Sequence, residues 1–235
     1  MVWPGWGARC RRPVRTVLGR DDASWETNMT LDSSTLRILN TLAGIAYIVS
    51  ARGEIVAIGE RQWAAFANDN QSGDLKPADL LGRNLFDFIS GDEVRECYRA
   101  LHATLINGGR QTSFEYRCDA PDVERRMLMS VSSFEPDNCP PLILYQSQII
   151  DQCIRVPVPF LVAGNYNKPY DDKDLASICS FCSRVAWPIG PHRGERTWLA
   201  PEDYYAKGGS SQIVLSHGIC PECFAKSAQS WRAQG

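Results

Sequence analysis

The stretch from Gly44 to Ala67, GIAYIVSARGEIVAIGERQWAAFA, contains two short runs rich in β-branched residues. These runs, Ile45–Ser50 and Glu54–Gly59, are separated by a three-residue turn that ends in Gly53, and glycine permits the positive φ that tight hairpins often need. The residues that follow, 61–69, have the pattern of a short helix and end in Asn and Asp, which favour turns. The stretch therefore predicts a β-hairpin followed by a helix.

Segments on both sides of this hairpin extend the pattern. Leu36, Leu39 and Leu42 repeat at helical spacing behind polar capping candidates, which predicts a helix over 33–42. Residues 91–109 predict the longest helix, because their apolar side chains share one face and two glycines end it. Three strand-like runs follow, and the order of elements predicts an α+β fold with one antiparallel sheet whose inner face is covered by helices. The three runs are TSFEYRCD (112–119), RRMLMSVSSF (125–134) and PLILYQSQII (141–150).

About half of the chain, residues 36–150, resembles a PAS domain. The resemblance is carried by the paired strands and glycine turn of 44–67, by the Gly-Arg that leads into two helices within 80–109, and by FEYRCDAPDVERRMLMSV at 114–131. It implies a five-stranded antiparallel sheet in the order 2-1-5-4-3, with helices on one face. It also implies that the helix over 33–42 is an N-terminal cap, which is often a dimer contact in this family.

PAS domains bind different cofactors, and three features bear on this choice. Blue-light PAS domains have a photoactive cysteine directly after Gly-Arg-Asn, whereas the Gly-Arg-Asn at 82–84 is followed by Leu85. Haem-binding PAS domains often use a histidine of the long helix, so haem ligation by His102 is one hypothesis, and a buried, hydrogen-bonded histidine is the other. Cys97, on the same helix, is interpreted as a small apolar side chain or as an oxidation sensor.

Two Cys-x-x-Cys pairs dominate the C-terminal part of the chain. Cys179 and Cys182 form the first pair and Cys220 and Cys223 the second, with residues 183–219 between them. This spacing matches a four-cysteine zinc ribbon or treble-clef-like site, in which each pair forms a tight turn and all four thiolates bind one ion. A unit this small usually needs such a staple, and bound zinc contributes on the order of 10 kcal/mol to folding. The pattern predicts a structural zinc site.

A redox pair is the alternative interpretation of Cys220-Pro-Glu-Cys223. A glutaredoxin-like site needs this motif between a strand and a helix within a βαβ unit. The surrounding sequence offers the strand and the helix but predicts no parallel sheet, and a redox pair leaves Cys179 and Cys182 without a role. His217 is interpreted as a solvent-facing or ligand-supporting residue, because four cysteines already complete a tetrahedron.

Composition and charge exclude several classes of protein. With 235 residues, 44% apolar side chains and a net charge of −2, the chain can bury one ordinary core and a smaller second one, and it has no overall field that recruits nucleic acid or anionic membrane. No apolar run approaches the roughly 20 residues of a membrane span. The N-terminal residues lack the apolar region of a secretory signal, so we expect a reducing cytoplasm, where paired cysteines favour metal ligation over disulfides.

Four segments are expected along the chain. They are a disordered basic leader (1–29), a PAS sensor domain with its cap helix (30–150), a proline-rich linker (151–175) and a four-cysteine zinc-binding module (176–235). The segment 178–224 is also similar to short C-terminal extensions of bacterial PAS and response-regulator proteins, which implies a bacterial signalling context. The sequence shows no Walker loop, kinase motif set or helix-turn-helix, and it offers no nucleophile with a base and an orienting group.

These features predict a cytoplasmic, non-enzymatic signalling protein. A PAS domain would sense a small ligand, a redox state or a partner, and would relay this state by protein–protein contact, with a homodimer formed through the cap helix. A DNA-binding regulator that acts through the zinc module is the first alternative, which the near-neutral charge of that module disfavours. A thiol–disulfide oxidoreductase that uses Cys220 and Cys223 is the second.

Overall fold

The structure is a computed structural model, and it describes residues 31, 33–69, 76–89, 91–109, 111–136, 140–161, 174–190 and 195–232. The expected leader, 1–29, and residues 162–173 of the expected linker lie outside the described residues. In chain order the elements are α1 (Ser33–Leu39), β1 (Ile45–Ser50), β2 (Ile55–Ile58), α2 (Glu60–Asp69), α3 (Asp92–Ile106), β3 (Thr112–Arg117), β4 (Val123–Phe134), β5 (Leu142–Ile154), β6 (Leu175–Cys179), β7 (Val185–Trp187), β8 (Thr197–Leu199), α4 (Pro201–Ala206), β9 (Val214–Gly218) and α5 (Pro221–Arg232). Short 3₁₀ turns occupy Pro77–Asp79, Leu85–Phe88 and Pro159–Leu161.

Strands β1–β5 form one antiparallel sheet in the order β2-β1-β5-β4-β3. This order and the α+β architecture confirm the predicted PAS fold, and we call residues 33–154 the PAS-fold domain. The turn between β1 and β2 requires a glycine, because Gly53 has a φ of +91° and a side chain there would collide with the ring of Phe86.

Strand β1 is buried on both faces, which explains its unbroken apolar run. Tyr47 and Val49 face the main core beneath α2 and α3, whereas Ala46 and Ile48 contact Leu39 of α1 on the opposite face. A strand that is covered on both sides needs apolar residues at every position rather than at alternate ones. Helix α1 is therefore a cap on the outer face of the sheet.

The helix α3 covers the inner face of the sheet. Its buried residues recur every three or four positions, so that one side of the helix faces β3, β4 and β5. On β3, Phe114 and Tyr116 are buried while Ser113 and Glu115 are exposed, as the predicted alternation requires. The buried residues of α3 are Val94, Cys97, Tyr98, Leu101, His102 and Leu105.

Strands β6–β9 form a second sheet in the order β8-β7-β6-β9. In this sheet β6 and β9 pair in parallel, with Ile178 opposite His217, while β7 pairs antiparallel with both of its neighbours. The prediction that no parallel sheet surrounds the second cysteine pair is therefore wrong. It failed because β6 and β9 are far apart in the chain, and local periodicity does not indicate which distant partner a strand will pair with.

The segment expected to be a linker begins as ordered structure. Strand β5 continues to Ile154, paired with Val123 of β4, and the following turn places Phe160 in the core of the second sheet. We call residues 158–232 the C-terminal module. Its core contains Val158, Phe160, Ala176, Ile178, Val185, Leu199, Tyr204, Ile213 and Leu215.

An ion-pair cluster holds this junction in place. Arg155, which directly follows β5, lies 3.2 Å from the buried carboxylate of Asp119, and Asp119 also accepts hydrogen bonds from Arg117. The backbone amide of Val158 donates to the carbonyl of Pro121 at 2.7 Å. These contacts fix the path of the chain as it leaves the PAS-fold domain.

None of the helices within the described ranges is long and apolar enough to cross a bilayer.

Candidate metal centre

The first cysteine pair lies where β6 turns into β7. Cys179 is the last residue of β6, and its amide and carbonyl both bond across the turn, to the carbonyl of Arg184 and the amide of Ser183. Ser183 adopts a φ of +60°, which lets the chain reverse within a few residues. Cys182 is therefore brought back beside Cys179 by a tight turn.

The second pair lies at the start of α5. Cys220 directly precedes the helix, whose first residue is Pro221, and Cys223 lies in its first turn. The carbonyl of Cys220 accepts from the amide of Phe224 at 2.9 Å, and its sulfur accepts from the amide of Cys223 at 3.4 Å. The second pair is therefore held between the end of β9 and the first turn of α5.

All four sulfurs come together, as the sequence predicted. They lie within 4.8 Å of one another, and Cys182 Sγ is 3.7 Å from Cys220 Sγ. Four sulfurs placed tetrahedrally at 2.3 Å from a zinc ion are separated by about 3.8 Å. The donor set and its spacing therefore fit a tetrahedral zinc ion.

Backbone amides surround the sulfurs. Cys179 Sγ accepts from the amides of Cys220, at 3.4 Å, and Phe181, while Cys182 Sγ accepts from the amide of Arg184. Such N–H···S bonds orient thiolate ligands and offset part of their negative charge.

Hydrogen bonds among Cys179, Cys182 and Cys223 distribute the protons of these three thiols unequally. Hydrogen bonds from the thiols of Cys182 and Cys223 lower the pKa of Cys179, and the amides around its sulfur act in the same direction. The same hydrogen bonds raise the pKa values of Cys182 and Cys223, because these thiols hold protons that they donate to Cys179. A bound dication would replace these protons, so metal binding here is coupled to proton release.

Charged side chains connect the two turns at the surface. Glu222, beside Cys223, forms ion pairs with Arg184 of the first turn, at 2.6 Å, and with Lys226 of α5, at 2.7 Å. These two cations lower the pKa of Glu222 to about 2. Exposed pairs stabilise little, but they place positive charge near a centre whose four thiolates leave a zinc ion with net charge of about −2.

Other candidate residues lie outside this cluster. His217 is buried on β9 and burial lowers its pKa to about 4, but its side chain is not among the four clustered ligands. Cys97 and Cys118 are buried, and burial raises the pKa of both thiols, whereas Cys153 is exposed. A raised pKa suits the interpretation of Cys97 as a small apolar side chain.

The haem candidate His102 already has a hydrogen-bond partner at each ring nitrogen. Nε2 lies 3.0 Å from the carbonyl oxygen of Ser50, and Nδ1 lies 3.0 Å from the hydroxyl of Tyr145. A carbonyl can only accept, so Nε2 carries the proton and the phenol donates to Nδ1. Burial lowers the pKa of His102, which keeps the ring neutral. Haem ligation by His102 would require one of these hydrogen bonds to break.

Replacing His102 tests this assignment. In His102→Leu, the Tyr145 hydroxyl and the Ser50 carbonyl lose their buried partner, so we expect the free energy of unfolding to fall by about 1–3 kcal/mol for each group left unpaired. Urea denaturation measures this loss. His102→Gln is the matched control, because its amide can still donate and accept. A His102→Leu variant as stable as the wild type would contradict the assignment.

Tyrosines fill much of the space between α3 and the sheet. Tyr47, Tyr98, Tyr116 and Tyr145 are each at most 3% exposed, and burial raises the pKa of each hydroxyl. Tyr47 and Tyr145 stack at 5.2 Å between ring centroids. Leu85, at the position of the photoactive cysteine of blue-light PAS domains, is also fully buried in this core.

An open cavity of about 610 Å³ lies outside this core, beside α3. Its lining includes Arg52, Phe86, Arg99 and His102. The guanidinium of Arg99 lies 5.5 Å from the centre of the Phe86 ring, and Arg99 also pairs with Glu96. The cavity combines cationic and aromatic groups at the surface of the PAS-fold domain.

Sequence reasoning missed two residues that flank the ligands. Phe181 lies between Cys179 and Cys182, and Ile219 directly precedes Cys220; both contact the core of the PAS-fold domain. Large apolar residues in tight turns, where solvent exposure is expected, were the signal that the turns are covered.

The redox interpretation of the second pair gains one feature from the structure. Cys220 and Cys223 lie between β9 and α5, and β9 is paired in parallel with β6. The motif thus has the strand, the helix and a parallel neighbour. However, Cys179 and Cys182 lie in the same sulfur cluster, and a two-cysteine redox site has no use for them.

Several solved structures similar to this chain are PAS domains. The PAS domain of an HTR-like protein from Haloarcula marismortui is 13% identical, with a TM-score of 0.36, over 50% of this chain and 96% of that chain. The PAS domain of BvgS from Bordetella pertussis is 7% identical, with a TM-score of 0.40, over 50% of this chain and 85% of that chain. The PAS domain from a two-component sensor histidine kinase is 11% identical, with a TM-score of 0.33, over 49% of this chain and 93% of that chain. No family model and no curated protein matches the chain.

Proposed function

We propose that this chain is a non-enzymatic signalling protein of the reducing cytoplasm. Its PAS-fold domain senses a small ligand, a redox state or a partner. Its C-terminal module is held by one structural zinc ion, bound by Cys179, Cys182, Cys220 and Cys223, and relays the state of the sensor by protein–protein contact.

The sulfur cluster is the observation that carries this proposal. Two turns separated by residues 183–219 bring four thiols within 4.8 Å of one another, and amides donate to three of the sulfurs. Four thiolates complete the coordination of zinc, whereas a catalytic zinc keeps one position open for water. The donor set thus favours a structural role for the ion over a catalytic one.

A homodimer through α1 is part of the proposal. Leu36 and Ile38 are 40% and 62% exposed on this short helix, although both are large and apolar. A second copy of the chain would remove this surface from water, since exposed apolar patches commonly mark protein contacts. Sedimentation of the wild type and of Ile38→Lys tests it: a dimer that becomes a monomer supports the contact, and identical sedimentation opposes it.

Thiol–disulfide exchange at Cys220 and Cys223 is the second candidate, favoured by the position of the motif between β9 and α5. The two candidates differ in what they require of the first pair. Turnover of a disulfide substrate that is lost in Cys220→Ser but kept in Cys179→Ser would establish the oxidoreductase. A structural zinc site requires Cys179 and Cys220 equally.

Metal analysis and an absorption spectrum of protein purified under reducing conditions test the proposal directly. We expect one zinc per chain and no visible absorption, because zinc thiolates are colourless. A Soret band that disappears in His102→Leu would establish haem in the PAS-fold domain instead of an unknown ligand. Protein that holds less than one tightly bound metal ion per chain would overturn the zinc site.

A further inference from the structure

The first cysteine turn is packed against the PAS-fold domain. The ring of Phe181, between two candidate ligands, lies 5.8 Å from the ring of Phe114 on β3. Phe114 in turn lies 5.9 Å from the ring of Tyr98 on α3, in an edge-to-face contact. A continuous series of aromatic contacts thus connects the first cysteine turn to the long helix.

The second cysteine turn also contacts this core. Ile219, the residue before Cys220, is 7% exposed and belongs to the apolar core of the PAS-fold domain, and Cys223 packs against the same core. Both turns that carry the ligands therefore supply side chains to the neighbouring domain.

The backbones of the two units also approach each other just before α3. Gly91 has a φ of +84°, and a side chain there would collide with the carbonyl oxygen of His217 on β9. Only glycine allows this approach. The strand that leads into the second cysteine pair is thus in direct contact with the residue that precedes α3.

We propose that metal occupancy of the four-cysteine centre controls the packing of α3 and β3 in the PAS-fold domain. The inference rests on the zinc site proposed above. The ion holds the two turns in the conformation that packs Phe181 against the core and places Ile219 in it. When the ion leaves, the metal–sulfur bonds that join the two turns are lost, and the core of the PAS-fold domain loses the packing of these two side chains.

The coupling acts in both directions. If the metal changes the affinity for a ligand or partner that alters the packing of α3, that ligand or partner changes the metal affinity of the centre by the same factor. This follows because linkage between two sites is reciprocal. The metal centre is then part of the sensing device. A change in its metal occupancy is accompanied by a change in the packing of the PAS-fold domain, and the reverse.

Hydrogen exchange measured by mass spectrometry on the full chain tests this inference. We compare protein loaded with zinc and protein stripped by a chelator. Amides of α3 and β3 are expected to exchange faster without metal by about 5–150-fold, the usual range for coupled sites. Amides of the β1–β2 hairpin, at the far edge of the sheet, are the internal reference and are expected to keep their rates.

Two phenylalanine variants separate coupling from metal binding. Phe181→Ala is expected to bind one zinc but to show fast exchange in α3 and β3 even when loaded, with little further change on chelation. Phe224→Ala is the matched control, because Phe224 lies next to a candidate ligand but is 53% exposed. It is expected to behave as the wild type does. If Phe181→Ala does not fold, Phe181→Leu, which retains an apolar side chain, is expected to show the same change to a smaller extent.

Each result has a defined meaning. Protein that binds no zinc would refute the zinc site itself. Protein that binds one zinc, yet exchanges α3 and β3 at the same rate with and without it, would refute the coupling and leave the zinc site standing. Equal acceleration of the β1–β2 hairpin would also refute it, because the metal would then stabilise the whole chain. If the stripped protein aggregates, the zinc-loaded proteins decide the question. Zinc-loaded Phe181→Ala whose α3 and β3 amides exchange at the wild-type rate would refute the coupling.

Discussion

The Cys179→Ser variant is expected to lose its zinc and, with it, the fold of the C-terminal module. Cys179 is 1% exposed, and its sulfur accepts from two amides and from neighbouring thiols. Bound zinc contributes on the order of 10 kcal/mol to folding a small domain, and a site with one serine loses much of that contribution. Metal content and resistance to proteolysis of residues 174–232 measure the effect.

The matched control is Cys153→Ser, which changes an exposed cysteine outside the sulfur cluster. It is expected to retain zinc and stability. Cys220→Ser, in the second pair, is expected to match Cys179→Ser, because the proposed site requires all four cysteines for one ion. A Cys179→Ser protein that keeps one zinc and resists proteolysis as the wild type does would show that the site is wrong.

The Phe160→Ala variant is expected to destabilise the C-terminal module by about 3–5 kcal/mol, the usual loss for a buried phenylalanine. Phe160 is fully buried, with its ring stacked on Tyr205 at 5.7 Å and its edge against Tyr204 at 5.6 Å between centroids. Its amide also donates to the Tyr205 hydroxyl at 3.1 Å. The truncation leaves a cavity among these groups.

Calorimetry on zinc-loaded protein measures this loss, with Val156→Ala as the control. Val156 lies four residues earlier and is 85% exposed, so its truncation is expected to change little. If Phe160→Ala and Val156→Ala both have the melting temperature of the wild type, the segment after β5 acts as a linker, as the sequence predicted. A large difference between them establishes that the C-terminal module begins before residue 160.

Local patterns predicted much of the PAS-fold domain. The β1–β2 hairpin, the long helix α3 and the alternating strand β3 each depend on neighbours within a few residues, so their residues alone indicate them. The helix α1 ends at Leu39 rather than at residue 42 as predicted, because the chain already turns toward β1 after Leu39. Ends of elements are less well encoded, because several terminal residues are compatible with either state.

The C-terminal module was predicted less completely. The four cysteines were recognised, because metal ligands of one ion recur at constrained spacings. The parallel pairing of β6 with β9 and the place of Phe160 were missed, since both depend on partners far away in the chain. The same holds for the hydrogen bonds of His102, whose two partners, Ser50 and Tyr145, lie on different strands.

The sequence by itself determined the α+β class, the antiparallel sheet order through its likeness to PAS domains, and the identity of the four clustered thiols. The class and the thiols follow from short periodic segments and from residue types at fixed spacing, whereas the sheet order is what the resemblance implies. Only the tertiary structure decided that Phe181 packs against the core of the neighbouring domain, that Ile219 enters this core, and that Gly91 meets β9. Such contacts depend on how two folded surfaces fit together, and an apolar side chain in a turn does not specify which distant surface will cover it.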